Sequence, residues 1–109
     1  MDTAALAACC GFSPAVEGEN RPITGIFTGD LLSWAMGRAN AGDAWFTVMG
    51  NINTVAVAAL ADCACIVLCH DAVLDEAARA RAATEGINIF TTSLPEFEAG
   101  LCLAKAMGL

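Results

Sequence analysis

A chain of 109 residues, 57% apolar and 16% charged, can bury one core and is too apolar to stay disordered. Its formal charge of −7 comes from 12 acidic and 5 basic residues, and the bases (Arg21, Arg38, Arg79, Arg81, Lys105) are scattered, which excludes a surface that tracks nucleic-acid phosphates or an anionic membrane. No apolar run reaches the roughly 20 residues of a bilayer span. Met1-Asp2-Thr3 carries no basic leader region, so a cytoplasmic address is expected.

Asp2 can cap a first helix that runs through Cys10 and stops at Gly11. Ser13 to Arg21 is polar, with Pro14 and Gly18, and Pro22 follows. It reads as an extended segment and turn, with a short edge strand near Ala15 to Glu17. Ile23 to Phe27 reads as a strand. Gly29 and Asp30 then open a helix whose apolar residues are Leu31, Leu32, Trp34, Ala35 and Met36, and it ends near Gly37 to Asn40. Ala44 to Met49 is aromatic and β-branched, hence a buried strand. Gly50 to Asn53 is a loop with two candidate caps, Asn51 and Asn53. Thr54 to Ala61 is a short, almost wholly apolar helix, which should be buried.

Cys63 to Cys69 (CACIVLC) is a continuous apolar run, the signature of a central parallel strand covered on both faces. His70 to Val73 is a loop. Leu74 to Glu85 is an amphipathic helix with Leu74, Ala77, Ala78 and Ala82 inward, and Gly86 stops it. Asn88 to Thr91 is a short strand. Ser93-Leu94-Pro95-Glu96 has the spacing of a capping box, opening a helix that runs to about Met107. Strand and helix alternate from Ile23 onward, which predicts right-handed crossovers. The fold expected is α/β, a single domain over residues 1–109 in two or three layers, with a mostly parallel sheet of about four strands and flanking helices.

In open parallel sheets ligands gather at the carboxyl ends of the strands. Four loops fall there: Thr28-Gly29-Asp30, Gly50-Asn51-Ile52-Asn53-Thr54, His70-Asp71 and Thr91-Thr92-Ser93. The ligand-binding residues expected are Thr28, Gly29, Asp30, Gly50, Asn51, Asn53, Thr54, His70, Thr92 and Ser93. Helix N-termini in such a rim offer free N–H groups and a positive dipole end, suited to a small anionic or nucleotide-like ligand. The same residue types also serve as plain caps and turns. The chain has no G-x-x-x-x-G-K-[ST] segment, which weighs against ATP hydrolysis or kinase chemistry.

Two other readings compete. His70, the only histidine, could act with Asp30 or Asp71 in a small enzyme if their side chains converge. Cys63, Cys65, Cys69 and His70 could serve redox or metal chemistry. Strand alternation would put the three cysteines on one face, but Cys65 and Cys69 would then lie about 13 Å apart at some 3.3 Å per residue, too far for one metal. Six apolar-set cysteines without a leader read as free thiols that pack as small hydrophobes.

The segments ITGIFTGDLLSWAM, GDAWFTVMGNINTVAVAAL and ACIVLCHDAVLDEAARARAATEGINIFTTSLPEFEAG, in this order and spacing, resemble the DRTGG domain family over residues 23–99. That family is a small α/β module found beside larger enzymes. Examples are the N-terminal part of HPr kinase/phosphorylase, some phosphotransacetylases and some CBS-containing pyrophosphatases. Stand-alone versions carry a G-D-L-L-S segment, as Gly29 to Ser33 does here. The family's Asp-Arg-Thr loop corresponds to Gly50 to Thr54, where the Asp-Arg pair is missing, so no role of that pair carries over. The resemblance implies an accessory regulatory or interaction module without catalysis or cofactor, since the phosphate-binding part of HPr kinase lies in another domain. A homodimer is the expected assembly, with a redox or metabolic enzyme as the further expected partner.

Overall fold

The computed structural model describes residues 1–109, in ten elements. They are α1 (Thr3–Cys10), β1 (Ser13–Val16), β2 (Gly25–Thr28), α2 (Leu32–Arg38), β3 (Asp43–Thr47), α3 (Ile52–Ala61), β4 (Cys65–Leu68), α4 (Glu76–Glu85), β5 (Asn88–Thr91) and α5 (Glu96–Ala106). The five strands form one sheet in the order β1-β5-β4-β3-β2. β2, β3, β4 and β5 run parallel, and β1 adds to β5 antiparallel. The expected mostly parallel sheet is therefore present, with one strand more. The expected edge strand near Ala15 lies two residues earlier, at Ser13–Val16.

Two cores sandwich the sheet, which makes the domain three-layered. On one face α1 and α5 cover Ala44, Phe46, Cys65, Val67 and Phe90 with Leu6, Ala99 and Leu103. On the other, α2, α3 and α4 cover Trp45, Ile66, Leu68 and Ile89 with Ala35, Val55, Ala58, Ala78 and Ala82. Small alanines on the helices let them lie close over a sheet whose own bulk comes from Trp45, Phe46 and the branched residues of β4. Every residue from Cys63 to Cys69 is buried, as a strand covered on both faces requires. No helix is long and apolar enough to cross a membrane.

The caps read from the sequence hold for α1, α3 and α4. Asp2 accepts from the Ala5 N–H at 2.9 Å, and Gly11 and Gly86 end their helices in the left-handed region at φ +69° and +70°. Asn51 accepts the Thr54 N–H at 3.0 Å and starts α3 two residues before the expected Thr54.

Three local expectations fail for tertiary reasons. Asp30 does not start α2; Leu31 stands in the cap position and the Asp30 carboxylate turns to β3 instead. Ser93 does not cap α5. The cap position is Pro95, with no side-chain hydrogen bond, and Glu96 faces the Asp30 side of the rim. Of the apolar residues of α2 only Ala35 is fully buried; Leu31, Trp34 and Met36 are each more than half exposed. In α3, Leu60 likewise faces out, and Ala77 of α4 is exposed.

Candidate functional site

The carboxyl ends of β2, β3, β4 and β5 carry the rim, and backbone bonds join its loops in pairs. The Gly29 N–H reaches the Phe46 carbonyl at 3.2 Å, and the buried Trp45 indole N–H reaches the Gly29 carbonyl at 3.0 Å. The Asp30 carboxylate then accepts the Thr47 hydroxyl at 2.7 Å and the Val48 N–H at 3.0 Å. One carboxylate thus ties the β2 loop to the end of β3. A charge-assisted pair of this kind is among the stronger hydrogen bonds a surface loop can make.

Across the rim, the His70 N–H reaches the Leu94 carbonyl and the Asp71 N–H the Thr92 carbonyl, each at 3.0 Å. Both residues sit in the left-handed region, at φ +57° and +55°, a conformation non-glycine residues adopt at a cost. The two bonds to the β5 loop hold them there. The Asp75 N–H reaches the Gly50 carbonyl at 2.8 Å. A Cβ at Gly50 would run into the Val73 carbonyl, so glycine is what lets these two loops touch.

The expected site residues separate into two groups. Asn51 and Thr54 bond each other at the start of α3, Thr54 is buried, and the apolar space beneath Gly50 and Asn51 is too small for a water molecule. These three residues are occupied with the fold, and Asn53 lies exposed on the first turn of α3. Thr28, Gly29, Asp30, His70, Thr92 and Ser93 remain at the accessible part of the rim. The Thr92 side chain accepts the Leu94 N–H at 3.2 Å, which turns the chain into α5.

Glu96 belongs to this part of the rim although no sequence pattern placed it there. Partial burial, the negative charge of Asp30 and a hydrogen bond shared with it push the Glu96 carboxyl above its ordinary 4.5, while nearby His70 pulls it down. Asp30, Glu96 and His70 therefore share one end of the sheet. The only signal that could have flagged Glu96 was its position in the first turn of a helix that follows a rim loop. Thr28, Gly29 and Glu96 also line an open cleft of about 500 Å³ that continues down between β2 and α5, past Phe97, Gly100 and Leu101.

The pairings expected of a small enzyme are otherwise engaged. Asp30 bonds Thr47 and Val48, and the His70 side chain makes no hydrogen bond to either Asp30 or Asp71. The cysteines do not share one face either: Cys65 and Cys69 pack in the α1/α5 core and Cys63 in the opposite one, because Cys63 precedes the strand proper. Burial pushes Cys65 up to about 12 and Cys63 to about 11, and burial with the Glu96 and Asp30 charges takes Cys69 to about 12. Such thiols stay protonated at neutral pH and are poor nucleophiles. No group of three or more His, Cys, Asp or Glu side chains is arranged to hold a metal ion.

The chain has the fold of a DRTGG-like α/β domain. The chain superposes, with a TM-score of 0.78 and 10% sequence identity, on the crystal structure of the CBS and DRTGG domains of the regulatory region of Clostridium perfringens pyrophosphatase, complexed with its activator diadenosine tetraphosphate. The match covers 95% of this chain and 46% of the other, so this chain spans about half of that regulatory region. No protein-family model and no curated protein matches the sequence.

Proposed function

We propose that this domain is a non-catalytic regulatory module that binds a small nucleotide-like ligand at the rim and works as a homodimer beside a redox or metabolic enzyme. The observation that carries the ligand reading is the convergence of Asp30, Glu96 and His70 at the accessible end of a rim whose loops are bonded in pairs. The two kinds of group suit two parts of such a ligand. Carboxyl oxygens at Asp30 and Glu96 accept from ribose hydroxyls or a base amine. The His70 ring N–H and the free N–H groups of the uncapped first turn of α5 can donate to an anionic group. At the α3 N-terminus, Asn51 already takes the Thr54 N–H. The solved structure that shares the fold is described with a bound dinucleotide activator, which supports the same class of ligand here.

Mass action supplies the test. A ligand at 100 times its dissociation constant stabilises the native state by about 2.7 kcal/mol. Adenine mononucleotides and dinucleotides, diadenosine tetraphosphate among them, should raise the melting temperature in proportion to the logarithm of their concentration. His70→Ala should abolish the rise while leaving the unliganded melting temperature nearly unchanged. A panel at millimolar concentration with no shift for any member would remove the ligand reading.

A further inference from the structure

The sheet has two edges, and one of them is left open in a way that fits a second copy of the chain. We propose that two chains pair antiparallel through β2, joining their sheets into one of ten strands and packing α5 against α5 across the two-fold axis. The inference rests on the homodimer of the proposed function and names its surface.

Backbone register is the first observation. The Gly29 N–H points to Phe46 on β3, and β2 and β3 align residue for residue from Gly25–Asp43 to Thr28–Phe46. Alternate residues of a strand point their N–H and C=O to opposite sides, so Gly25 and Phe27 serve β3 while Ile26 and Thr28 face outward. An antiparallel copy centred on Phe27 sets Ile26 against Thr28 of the partner and Thr28 against its Ile26. Both pairs are then the hydrogen-bonded kind, and every outward group on the strand gains a partner. The strand has no proline, charge or bulge to prevent this.

Side chains on α5 continue the surface. Phe97, Leu101 and Ala104, spaced i, i+4 and i+7, form one helix face beside the β2 edge, and Phe97 and Leu101 are 72% and 40% exposed. α5 packs over β2 and β3, so joining the sheets at β2 brings the two α5 helices side by side and antiparallel.

Charge complementarity then selects the occupant. α5 has Glu96 and Glu98 in its first turn and Lys105 in its last. An antiparallel copy centred on Leu101 places Lys105 beside Glu98 of the partner, twice, around a Leu101–Leu101 contact. A chain of charge −7 meets its own copy here at the one helix end that carries a lysine. The Asp30, His70 and Thr92 part of each rim lies at opposite ends of the joined sheet and stays open.

Light scattering on the eluted full chain, at micromolar concentration, should give the mass of two 11.2 kDa copies. Leu101→Lys and Phe97→Asp should each raise the dimer dissociation constant at least about thirtyfold, the loss of one buried anchor. Circular dichroism and melting should show both variants folded. Lys105→Glu should weaken the dimer, and adding Glu98→Lys to it should restore the dimer. Leu60→Lys, on the equally apolar but distant end of α3, should change nothing. A wild-type monomer would overturn both this surface and the homodimer. A wild-type dimer that survives Leu101→Lys and Phe97→Asp would overturn this surface alone.

Discussion

β1 and β2 close the two edges of the same sheet with opposite chemistry. On β1, Pro14 has no N–H to offer, a register shift between Pro14 and Val16 bends the strand, and the Ala15 carbonyl accepts Arg79 at 2.7 Å. The chain leaving β1 is tied down as well: the Gly18 N–H reaches the Asn88 side chain at 2.8 Å, and the Glu19 N–H the Gly86 carbonyl at 3.0 Å. On β2, Gly-Ile-Phe-Thr has no such device, and exposed Phe97 lies beside Ile26 and Thr28. A row of free backbone groups beside apolar side chains costs solubility unless something pairs with it. The contrast teaches that the fold spends its sealing devices on one edge. The other edge is where assembly is to be sought.

The largest effect is expected on the sealed side. Asn88 accepts the Gly18 N–H and donates to the Glu19 carbonyl at 2.6 Å from a nearly buried position. Asn88→Ala leaves two partly buried backbone groups without partners, at a cost of about 3 kcal/mol. Urea unfolding would measure it, and a change under about 0.5 kcal/mol would mean that the β1 edge needs no such anchor. On the open side, Asp30→Ala removes the acceptor for Thr47 and Val48. Because Val48 is exposed and can turn to water, the loss is smaller, about 1–2 kcal/mol. Asp30→Asn, which still offers an oxygen, should recover most of it.

The smallest effect is one of pH. The Glu96 carboxyl is raised in the folded chain, so the native state holds that proton more tightly than the unfolded state does. The stability it contributes is complete below its ordinary 4.5 and is lost as pH rises through the raised folded value. Glu96→Gln cannot titrate and should flatten this part of the stability profile, measured as urea midpoints between about pH 4 and about pH 7. A wild-type profile no steeper than the variant's would show that burial and the Asp30 charge do not raise Glu96.

Much of the fold was legible in the residues. The apolar run at Cys63–Cys69 announced a strand covered on both faces, and Asp2, Gly11, Asn51 and Gly86 marked helix ends, because each acts within one turn of its own position. The direction of β1 was not legible, since a polar segment with a proline carries no pattern that distinguishes parallel from antiparallel. Nor was the outward face of α2. Leu31, Trp34 and Met36 have the hydrophobicity of core residues, and only the position of α2 at the end of the sheet leaves them without a neighbouring helix to cover them. At the rim, whether the loops meet was not legible either, and backbone bonds join them in pairs. Asn51 and Thr54 turned inward to cap α3, and Glu96, taken for half of a capping box, turned to Asp30.

The sequence by itself determined the order of strands and helices and the parallel run from β2 to β5, because hydrophobic period and helix ends are set by neighbours a few residues apart. Tertiary structure decided which edge is sealed and which carboxylates meet. Those outcomes depend on side chains such as Asn88, Arg79, Asp30 and Glu96 reaching segments far away in the chain. No local pattern encodes a contact of that kind.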